Sequence, residues 1–512
     1  MRSWKKSHFF GLGLLILVTL LSRLLPGPRI IDDAYITFRY ARNIVAGLGP
    51  VYNPGEPILG TTTPLYTALL ALMGSLAGGA AAPFPLLALA FNAFCDAITV
   101  TILVTLGRLL GRPWVGWATA LTWAILPFSV TFAIGGMETS LFVLLLTLTV
   151  GLYATGRTPW AALTLALGLL TRPEAALWAL LMAADWLWRL RRGEERAPWW
   201  APVLAFGLPL ALWTGLATAY YGSPLPLSVS AKRVAYLIPP KAALIRFLQH
   251  FATPFEGHRT LGIPWIGVGL VLYPSLFLIG ARHLLPRTPR LWPWALFPWG
   301  YLAAYALANP LIFRWYLTPP LPPYLFFIWG GLSALTRTLR PPLKATVRGI
   351  LTAGVLFLVL RGWTWHPDHG PQTPAPRMAW FKLEQVYHSA AAFLQPYLRP
   401  GDMLAAADIG TLGYDTQAYI FDTLGLVSPQ ALAYYPLSKD QIASGMNYAV
   451  PVSLIRELRP DYAVFLEVYI RHTLLSDPWF RQHYETLAIL YTDPQEIYNS
   501  HGMYIFRRRP QP

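Results

Sequence analysis

The sequence predicts an all-α polytopic membrane domain followed by a small extracytoplasmic α/β domain. Of the 512 residues, 55% are hydrophobic and only 12% are charged, whereas soluble domains carry about a quarter charged residues. The mean hydropathy is +0.42. Apolar runs follow one another as far as Leu360, and an ordinary density of charges returns only after a Pro-rich segment that begins near Trp363.

About eleven apolar runs are suited to crossing a membrane, where a helix needs roughly 20 residues and tilts or pairs when it is shorter. These runs are 8–25, 83–106, 114–132, 139–154, 159–170, 174–188, 200–220, 261–279, 291–307, 317–334 and 349–360. The first has a basic start and lacks a convincing small-residue cleavage site, so we expect a retained signal anchor. The runs 159–170 and 174–188 are short, which predicts broken or partly interfacial helices.

The basic connectors predict the orientation, because Lys and Arg concentrate in cytoplasmic loops. The N-terminus with Arg2, Lys5 and Lys6 is expected inside, together with the connectors at 108–112, 157, 189–196, 282–290 and 337–344. These positions agree only if the apolar segment 62–78 does not cross the membrane. We therefore place this segment in a long first outer loop, 27–82, as a re-entrant segment. The C-terminal domain then lies outside. The net charge of +16 follows this pattern rather than a basic face, so we expect no nucleic-acid partner.

Three parts are predicted along the chain: a transmembrane domain at 1–362, a Pro-rich linker at 363–377 and the α/β domain at 378–512. The last part has an amphipathic helix at 378–398 and candidate strands at 402–407, 418–421, 462–466, 486–491 and 503–507. No His or Cys residues have metal-site spacing, and His366 and His369 of the linker are expected to be solvated. With only Cys95, the chain has no intrachain disulfide.

The stretch from Arg29 to Pro64, RIIDDAYITFRYARNIVAGLGPVYNPGEPILGTTTP, places two adjacent acids directly after the first apolar run. Asp32, Tyr35, Arg39 and Arg42 recur at helical spacing and predict a polar stripe on an interfacial helix. Two interpretations stay open. An acid can cap the helix while the arginines reach lipid headgroups. Alternatively, a carboxylate removes a hydroxyl proton while Arg39 and Arg42 bind a lipid-borne phosphate. Asp32 is favoured over Asp33 as the base because it shares the stripe with the arginines.

Other polar residues interrupt the apolar region and are candidates for the same site. Glu138 is either a first-turn acid of the following helix or a second acid that contacts acceptor, donor sugar or a cation. Arg172 and Glu174 form either a salt-bridged helix break or part of a donor-phosphate site. Arg314 and Tyr316 begin an outward-facing span, where snorkelling is the alternative to flanking the site.

Three charged residues in the outer segments, Lys232, Asp408 and Asp422, can be explained by structural roles alone. Lys232 follows a Pro-containing outer loop, where an anchor to lipid headgroups is the plain interpretation. Asp408 and Asp422 lie near predicted strand ends, where turn and cap roles are expected.

Several motifs together resemble a family of bacterial integral-membrane glycosyltransferases, the GT-C superfamily. The motifs are DDAYITFRYARNIVAGLGPVYNPGEPILGTTTPLY, GGMETSLF, LLTRPEA, YYGSPLPLSVSAK and ADIGTLGYDTQAYIFDTLGLVSP. The resemblance is to the branch of the terminal arabinofuranosyltransferases and spans most of the chain. It implies a GT-C-like fold and a catalytic acid in the first outer loop, which corresponds here to Asp32, Asp33 or both. It also implies that Lys232 lies near the donor phosphate. The segment PILG departs from the family, which leaves the acceptor contacts of that loop open.

The resemblance implies transfer of a sugar from a polyprenyl-phosphate donor to a hydroxyl of a cell-envelope glycan, lipid or protein, outside the cytoplasmic membrane. Membrane lipids are the other expected partner. Inversion at the anomeric carbon is the simpler expectation with one base and a ready leaving group. A divalent cation, Mg²⁺ or Mn²⁺, held by Asp32, Asp33 and Glu138 is compatible with this chemistry but not required. The alternatives are a polyprenyl-lipid transporter or flippase, and a non-catalytic envelope-assembly protein.

Overall fold

The computed structural model describes residues 6–364 and 374–510. Arg2, Lys5 and the linker histidines His366 and His369 lie outside the described residues. By its internal contacts the chain forms two compact units, each assembled from three separate segments. The first unit is Met1–Pro28, Ala88–Leu212 and Pro240–Arg377, and the second is Arg29–Leu87, Trp213–Pro239 and Met378–Pro512. The domain boundaries expected at residues 362 and 378 divide the chain by its sequence composition, and they stay a prediction.

Residues 6–364 are mostly helical. In chain order the helices are α1 (Lys6–Leu24), α2 (Asp32–Val45), α3 (Pro64–Leu76), α4 (Phe84–Leu109), α5 (Pro113–Ile125), α6 (Pro127–Ile134), α7 (Thr139–Ala154), α8 (Thr158–Leu169), α9 (Ala175–Arg191), α10 (Trp200–Tyr221), α11 (Leu227–Ala235), α12 (Ala242–Ala252), α13 (His258–Leu261), α14 (Pro264–Leu284), α15 (Trp292–Ala308), α16 (Leu321–Leu335) and α17 (Pro341–Leu360).

Four of these helices, α4, α10, α14 and α17, are long and apolar enough to cross a membrane. The pair α5 and α6 makes a fifth if it is one bent span, with 47° between its halves. The predicted single run 114–132 is therefore broken, because Pro127 begins α6 and has no N–H to continue α5. Shorter apolar helices include α3, α7, α8 and most of α1. The chain is a membrane protein, and the count of about eleven spans stays a prediction.

A buried ion pair lies in the core of the first unit. Arg23 Nε donates to Asp96 Oδ2 at 2.9 Å, and both side chains are fully buried. Asp96 also accepts hydrogen bonds from Trp123 and Ser140, at 3.2 and 3.1 Å. The guanidinium also donates to Ser129. A buried charge is costly unless it is paired and hydrogen-bonded. Each of the two charges is therefore stable in the core only while the other is present.

The remaining elements begin with a two-stranded ribbon, β1 (Trp363–Thr364) and β2 (Ala375–Pro376). A five-stranded sheet follows in the second unit, in the order β4-β3-β5-β7-β6. Its strands and accompanying helices are α18 (Ala379–Leu394), β3 (Met403–Ala406), α19 (Gly410–Thr416), β4 (Tyr419–Asp422), α20 (Val452–Leu458), β5 (Tyr462–Leu466), α21 (Glu467–Ile470), α22 (Pro478–His483), β6 (Tyr484–Tyr491) and β7 (Gly502–Arg508).

The sheet is mixed, with a parallel half and an antiparallel half. Strand β3 pairs in parallel with β4 and with β5, in a register that aligns Leu404 with Ile420 and with Tyr462. Strands β7 and β6 complete the sheet in antiparallel pairing. The chain runs from β3 to β4 on one side and then returns to β5 on the other side. The carboxyl ends of β3 and β5 thus flank a topological switch point, a common place for ligands in such sheets.

Helix α2 of the first loop belongs to the second unit and packs closely on α19. A Cβ at Gly410 would lie 1.8 Å from the backbone oxygen of Asp32, and one at Gly413 would lie 2.0 Å from the Tyr52 hydroxyl. Only glycine allows this approach. The predicted interfacial helix therefore has a protein partner along its polar stripe, a contact that periodicity did not predict.

Candidate functional site

Asp32 and Asp33 are the first two residues of α2, and neither is its N-cap. The cap position is Ile31, without a side-chain capping bond, so the interpretation of an acid as N-cap is wrong for this helix. Asp32 instead reaches the start of α19. Its Oδ2 accepts from the Gly410 N–H at 2.9 Å, and its Oδ1 accepts from the Thr411 N–H at 2.7 Å. Both oxygens of Asp32 are thus engaged by backbone amides.

Asp33 is half-buried and accepts no hydrogen bond from any residue within 6–364 or 374–510. Burial raises the pKa of its carboxyl, and the charge of Lys232 partly offsets that increase. Burial also raises the pKa of Asp32, which the Thr411 amide lowers and the charge of Asp33 raises further. Two adjacent carboxylates in a partly dehydrated setting hold protons more tightly than free ones. Of the two carboxylates, only that of Asp32 is held by backbone amides.

Lys232 lies in the last turn of α11, within the same unit as the two acids. Its side chain is half-buried, and its positive charge acts on Asp33. The structure thus brings together Asp33 and Lys232, which are 199 positions apart in the chain (232 − 33). An acid beside an ammonium group combines a proton acceptor with a cation for a leaving phosphate.

Arg39 does not face a ligand, which corrects the prediction of a phosphate-binding stripe. Its side chain is 1% exposed. The guanidinium donates to the carbonyls of Tyr52, Gly413 and Ala418, each at 2.8 Å. It also donates to Asn53 Oδ1 at 3.3 Å. This guanidinium fastens α2 to the segment around α19, because it satisfies backbone carbonyls that would otherwise be buried without donors.

Arg42 has a similar structural role. It donates to the Tyr414 carbonyl at 2.7 Å, and its guanidinium lies 4.4 Å from the centre of the Tyr414 ring. The argument that favoured Asp32 as the base depended on phosphate-binding arginines in its stripe. With both arginines bound to backbone carbonyls, that argument no longer holds.

Glu138, Arg172 and Glu174 meet in the first unit. Arg172 pairs with Glu138 Oε1 at 2.6 Å and with Glu174 Oε1 at 2.6 Å. Tyr305 donates to Glu174 at 2.9 Å, and the Arg172 guanidinium lies 4.7 Å from the centre of the Tyr316 ring. Arg172 is 3% exposed. The ion-paired helix break is therefore the arrangement observed, and the prediction that Arg172 and Glu174 bind the donor phosphate is corrected.

Glu138 occupies the cap position before α7, but its side chain makes no capping bond and turns to Arg172 instead. Two carboxylates share one guanidinium here, so the cluster carries a net negative charge. Arg314 is exposed at the start of a short 3₁₀ helix, Arg314–Leu317. Tyr316 packs on Arg172 and Tyr305. Glu138 remains the candidate second acid, and Arg314 and Tyr316 remain candidates to flank the site.

The two outer acids differ from one another. Asp422 has the expected turn role, because it accepts from the amides of Leu424 and Val427 at 2.8 and 3.0 Å. Burial nevertheless raises its pKa to about 6. Asp408 is not a turn residue of this kind. It accepts from the Tyr387 hydroxyl, and burial and the charge of Asp32 raise its pKa. The sequence predicted the same turn or cap role for Asp408 as for Asp422, although an acid directly after a buried strand is also a signal of a ligand site.

The predicted cation ligands were tested against the same geometry. Among the residues described, no three His, Cys, Asp or Glu side chains group closely enough to hold a metal ion. Asp32 uses both oxygens on backbone amides, and Glu138 pairs with Arg172. The divalent cation expected at Asp32, Asp33 and Glu138 stays a prediction.

Comparison with known proteins bears on the family. Residues 378–506 match a family described as a domain of unknown function (DUF8728). Over 224 residues the chain is 30% identical to the terminal β-(1→2)-arabinofuranosyltransferase of Mycobacterium tuberculosis (strain ATCC 25618 / H37Rv). The match covers 40% of this chain and 35% of that protein, so it spans about a third of the relative's length.

Solved structures are similar over nearly the whole chain. ArnT from Cupriavidus metallidurans, bound to undecaprenyl phosphate, has a TM-score of 0.55 at 12% identity, covering 99% of this chain and 100% of that one. The oligosaccharyltransferase AglB from Archaeoglobus fulgidus, with an inhibitory peptide and a dolichol-phosphate, has a TM-score of 0.55 at 11% identity and coverage of 99% and 75%. The chain therefore has the fold of these two structures, as the resemblance to the GT-C superfamily predicts, and part of it is similar in sequence to a terminal arabinofuranosyltransferase.

Proposed function

We propose that this protein is a membrane glycosyltransferase that transfers a sugar from a polyprenyl-phosphate donor to an acceptor hydroxyl outside the cytoplasmic membrane. The acceptor is a glycan, lipid or protein of the cell envelope. The relatives support this class, since one is a terminal arabinofuranosyltransferase and others are bound to undecaprenyl phosphate or dolichol-phosphate. One observation carries the proposal: the Asp33 carboxylate is partly exposed, accepts no hydrogen bond among the described residues, and lies in the field of Lys232.

Asp33 is the proposed general base, and Asp32 is a positioning residue. A base needs a lone pair free to receive the proton and a pKa raised toward the working pH. Asp33 meets both conditions, because burial raises its pKa. The lone pairs of Asp32 are directed at the Gly410 and Thr411 amides. Asp32 thus holds α2 and α19 together beside the proposed base.

In the proposed reaction Asp33 accepts the proton of the acceptor hydroxyl, and the oxygen forms a bond to the anomeric carbon of the donor sugar. The bond between that carbon and the phosphate oxygen breaks, and its electron pair leaves with the polyprenyl phosphate. Lys232 provides positive charge for the departing phosphate. A single displacement of this kind inverts the anomeric centre, so inversion is part of the proposal.

The test is turnover by the purified full chain of a panel of synthetic polyprenyl-phosphate sugars, with product anomers assigned by NMR. Transfer to an acceptor with inversion is expected, and loss of transfer in Asp33→Asn with retained donor binding would support the base. Transfer with retention would contradict the single displacement. Binding of these donors without transfer of any of their sugars would favour a transporter or flippase and contradict the proposed glycosyltransferase activity.

A further inference from the structure

The carboxyl edge of the parallel half-sheet holds polar side chains that the proposed chemistry does not use. Asp408 follows β3 and Tyr469 follows β5, so the two flank the switch point between these strands. Crevices at such switch points are the usual ligand sites of open α/β sheets, since both loops lead away from the gap. All these residues belong to the second unit, together with Asp32 and Asp33.

Asp408 has the surroundings of a ligand-binding carboxylate. It is half-buried, and the Tyr387 hydroxyl donates to its Oδ2. Burial is the largest cause that raises the pKa of Asp408, and the charges of Asp32 and Asp33 raise it further. Asp408 therefore lies close to the two acids of α2. Two residues later, Gly410 donates its amide to Asp32. Asp408 therefore lies on the same short loop that positions the proposed catalytic pair.

Aromatic rings extend from Asp408. Tyr448 stacks on Tyr469 with 4.5 Å between ring centres and 29° between planes. Tyr236 meets Tyr448 edge-on, with centres 5.5 Å apart. Burial is the largest cause that raises the pKa of Tyr448 and of Tyr469, and the charge of Asp408 is the second. Both phenols therefore lie near that carboxylate. The group thus joins flat apolar faces to hydroxyls and an acid.

The Tyr448 hydroxyl is an independent sign of a ligand. Tyr448 is only 5% exposed, and its hydroxyl makes no hydrogen bond of normal geometry within the part of the chain that the structure describes, although the Tyr469 side chain is near enough to affect its pKa. A buried hydroxyl without a partner costs about 1–3 kcal/mol. Buried Tyr hydroxyls normally find a partner, so an unpaired one beside Asp408 indicates a group that arrives with its own donor or acceptor.

We propose that Asp408, Tyr448 and Tyr469 form a subsite that binds hydroxyls of the acceptor sugar next to Asp33. Sugar hydroxyls donate to a carboxylate, exchange hydrogen bonds with phenols and present C–H faces to aromatic rings. A carboxyl group at Asp408 favours the neutral hydroxyls of the acceptor over the donor phosphate, for which the proposed function provides the charge of Lys232. This inference rests on the proposed function and names the acceptor-binding part of the same site.

The first test measures binding without turnover. Saturation-transfer NMR on the purified full chain in detergent uses methyl arabinofuranoside, methyl mannopyranoside and methyl galactofuranoside as probes. Wild type is expected to bind at least one glycoside, with affinity about tenfold to a hundredfold lower in Asp408→Asn and Tyr448→Phe, since a hydrogen bond to a charged or buried group is lost. The matched controls are Asp440→Asn and Tyr491→Phe, both at exposed positions, which should bind as wild type does.

The second test separates this subsite from the donor. In transfer assays Asp408→Asn should raise the acceptor KM by about the same factor while the donor KM and the melting temperature stay near those of wild type. Unchanged glycoside binding in both variants, or no binding of any probe by wild type, would overturn the subsite even if transfer occurs. Glycoside binding that depends on Asp408 in a protein that transfers no sugar would instead contradict the proposed function alone.

Discussion

The carboxylate of Asp32 is hydrogen-bonded to the backbone of Gly410, a residue 378 positions later in the chain. The Gly410 amide is 2.9 Å from Oδ2, and any Cβ at Gly410 would meet the Asp32 backbone oxygen at 1.8 Å. The two acids at the start of α2 therefore depend for their position on the segment that begins α19. This dependence connects the proposed chemistry to predictions about stability.

Gly410→Ala should lower the melting temperature and the rate of transfer together. The new methyl group overlaps the Asp32 carbonyl, and overpacking of this kind costs about 1–3 kcal/mol. Helix propensity alone would predict the opposite sign, because alanine favours α19 more than glycine does. Thermal unfolding in detergent and transfer assays measure both effects. Gly349→Ala is the control, since its Cβ would meet nothing within 4 Å; a Gly410→Ala protein as stable as that control would contradict the close contact.

Asp33→Asn should lose about a hundredfold to ten-thousandfold in transfer rate, because a carboxamide cannot accept the hydroxyl proton. Donor affinity and melting temperature should stay near wild type, because Asp33 accepts no hydrogen bond from the described residues. Asp32→Asn should instead reduce stability by about 1–3 kcal/mol, since its amide group would face a backbone N–H. Rates, donor binding and thermal unfolding of both variants are compared. Near-normal transfer by Asp33→Asn would move the base to Asp32.

His388 should stabilise the fold in a way that is lost in alkali. Its Nδ1 lies 2.5 Å from Asp415 Oδ2, and its Nε2 faces Glu384 and Tyr35 at 3.4 and 3.2 Å. Burial lowers the pKa of His388, but Asp415 and Glu384 outweigh it and raise the pKa to about 9. A raised folded pKa means stability that is fully present below the unfolded value near 6.5 and lost as pH rises through about 9.

The measurement for His388 is the melting temperature from about pH 6 to pH 10. Wild type should lose stability relative to His388→Gln across the upper part of this range, since glutamine does not titrate. His472→Gln serves as the control for the substitution type. Parallel curves for wild type and His388→Gln would show that the proton on His388 contributes nothing.

Asp96→Ala should be among the most destabilising single changes in the first unit. It leaves Arg23 buried with a charge and no carboxylate partner, which costs about 3–5 kcal/mol. The double variant Arg23→Met with Asp96→Leu should recover much of that loss, because it removes both charges and keeps apolar volume. Thermal unfolding of the two single variants and the double variant gives the coupling free energy between positions 23 and 96. A double variant with the summed loss of the singles would contradict the paired network.

The orientation should place both ends of α3 and the C-terminal segment outside. Single cysteines at Thr62 and Ala80, with Cys95 replaced, should react with an impermeant reagent added from outside, as the basic connectors require. A reporter fused after the last residue should be active only in an outer compartment. Labelling of positions 62 and 80 from opposite sides would show that α3 crosses the membrane.

Sequence alone determined what depends on neighbouring residues. Apolar runs of the right length predicted the long helices, and short strand-like runs with helix signals between them predicted the strands of the C-terminal sheet. The adjacent acids of the first loop were also recognisable, since their motif is local. Which interpretation applied to each polar residue was not local information.

Tertiary structure decided the partners of the charged groups. Arg39 looked like a phosphate ligand by spacing, but its guanidinium satisfies carbonyls of Gly413 and Ala418, more than 370 positions away. Asp32 and Asp33 are adjacent in sequence, yet only Asp32 is held by the backbone amides of Gly410 and Thr411. A side chain's charge and spacing limit what it can bind, whereas its role depends on which donors and acceptors the fold brings within about 3 Å.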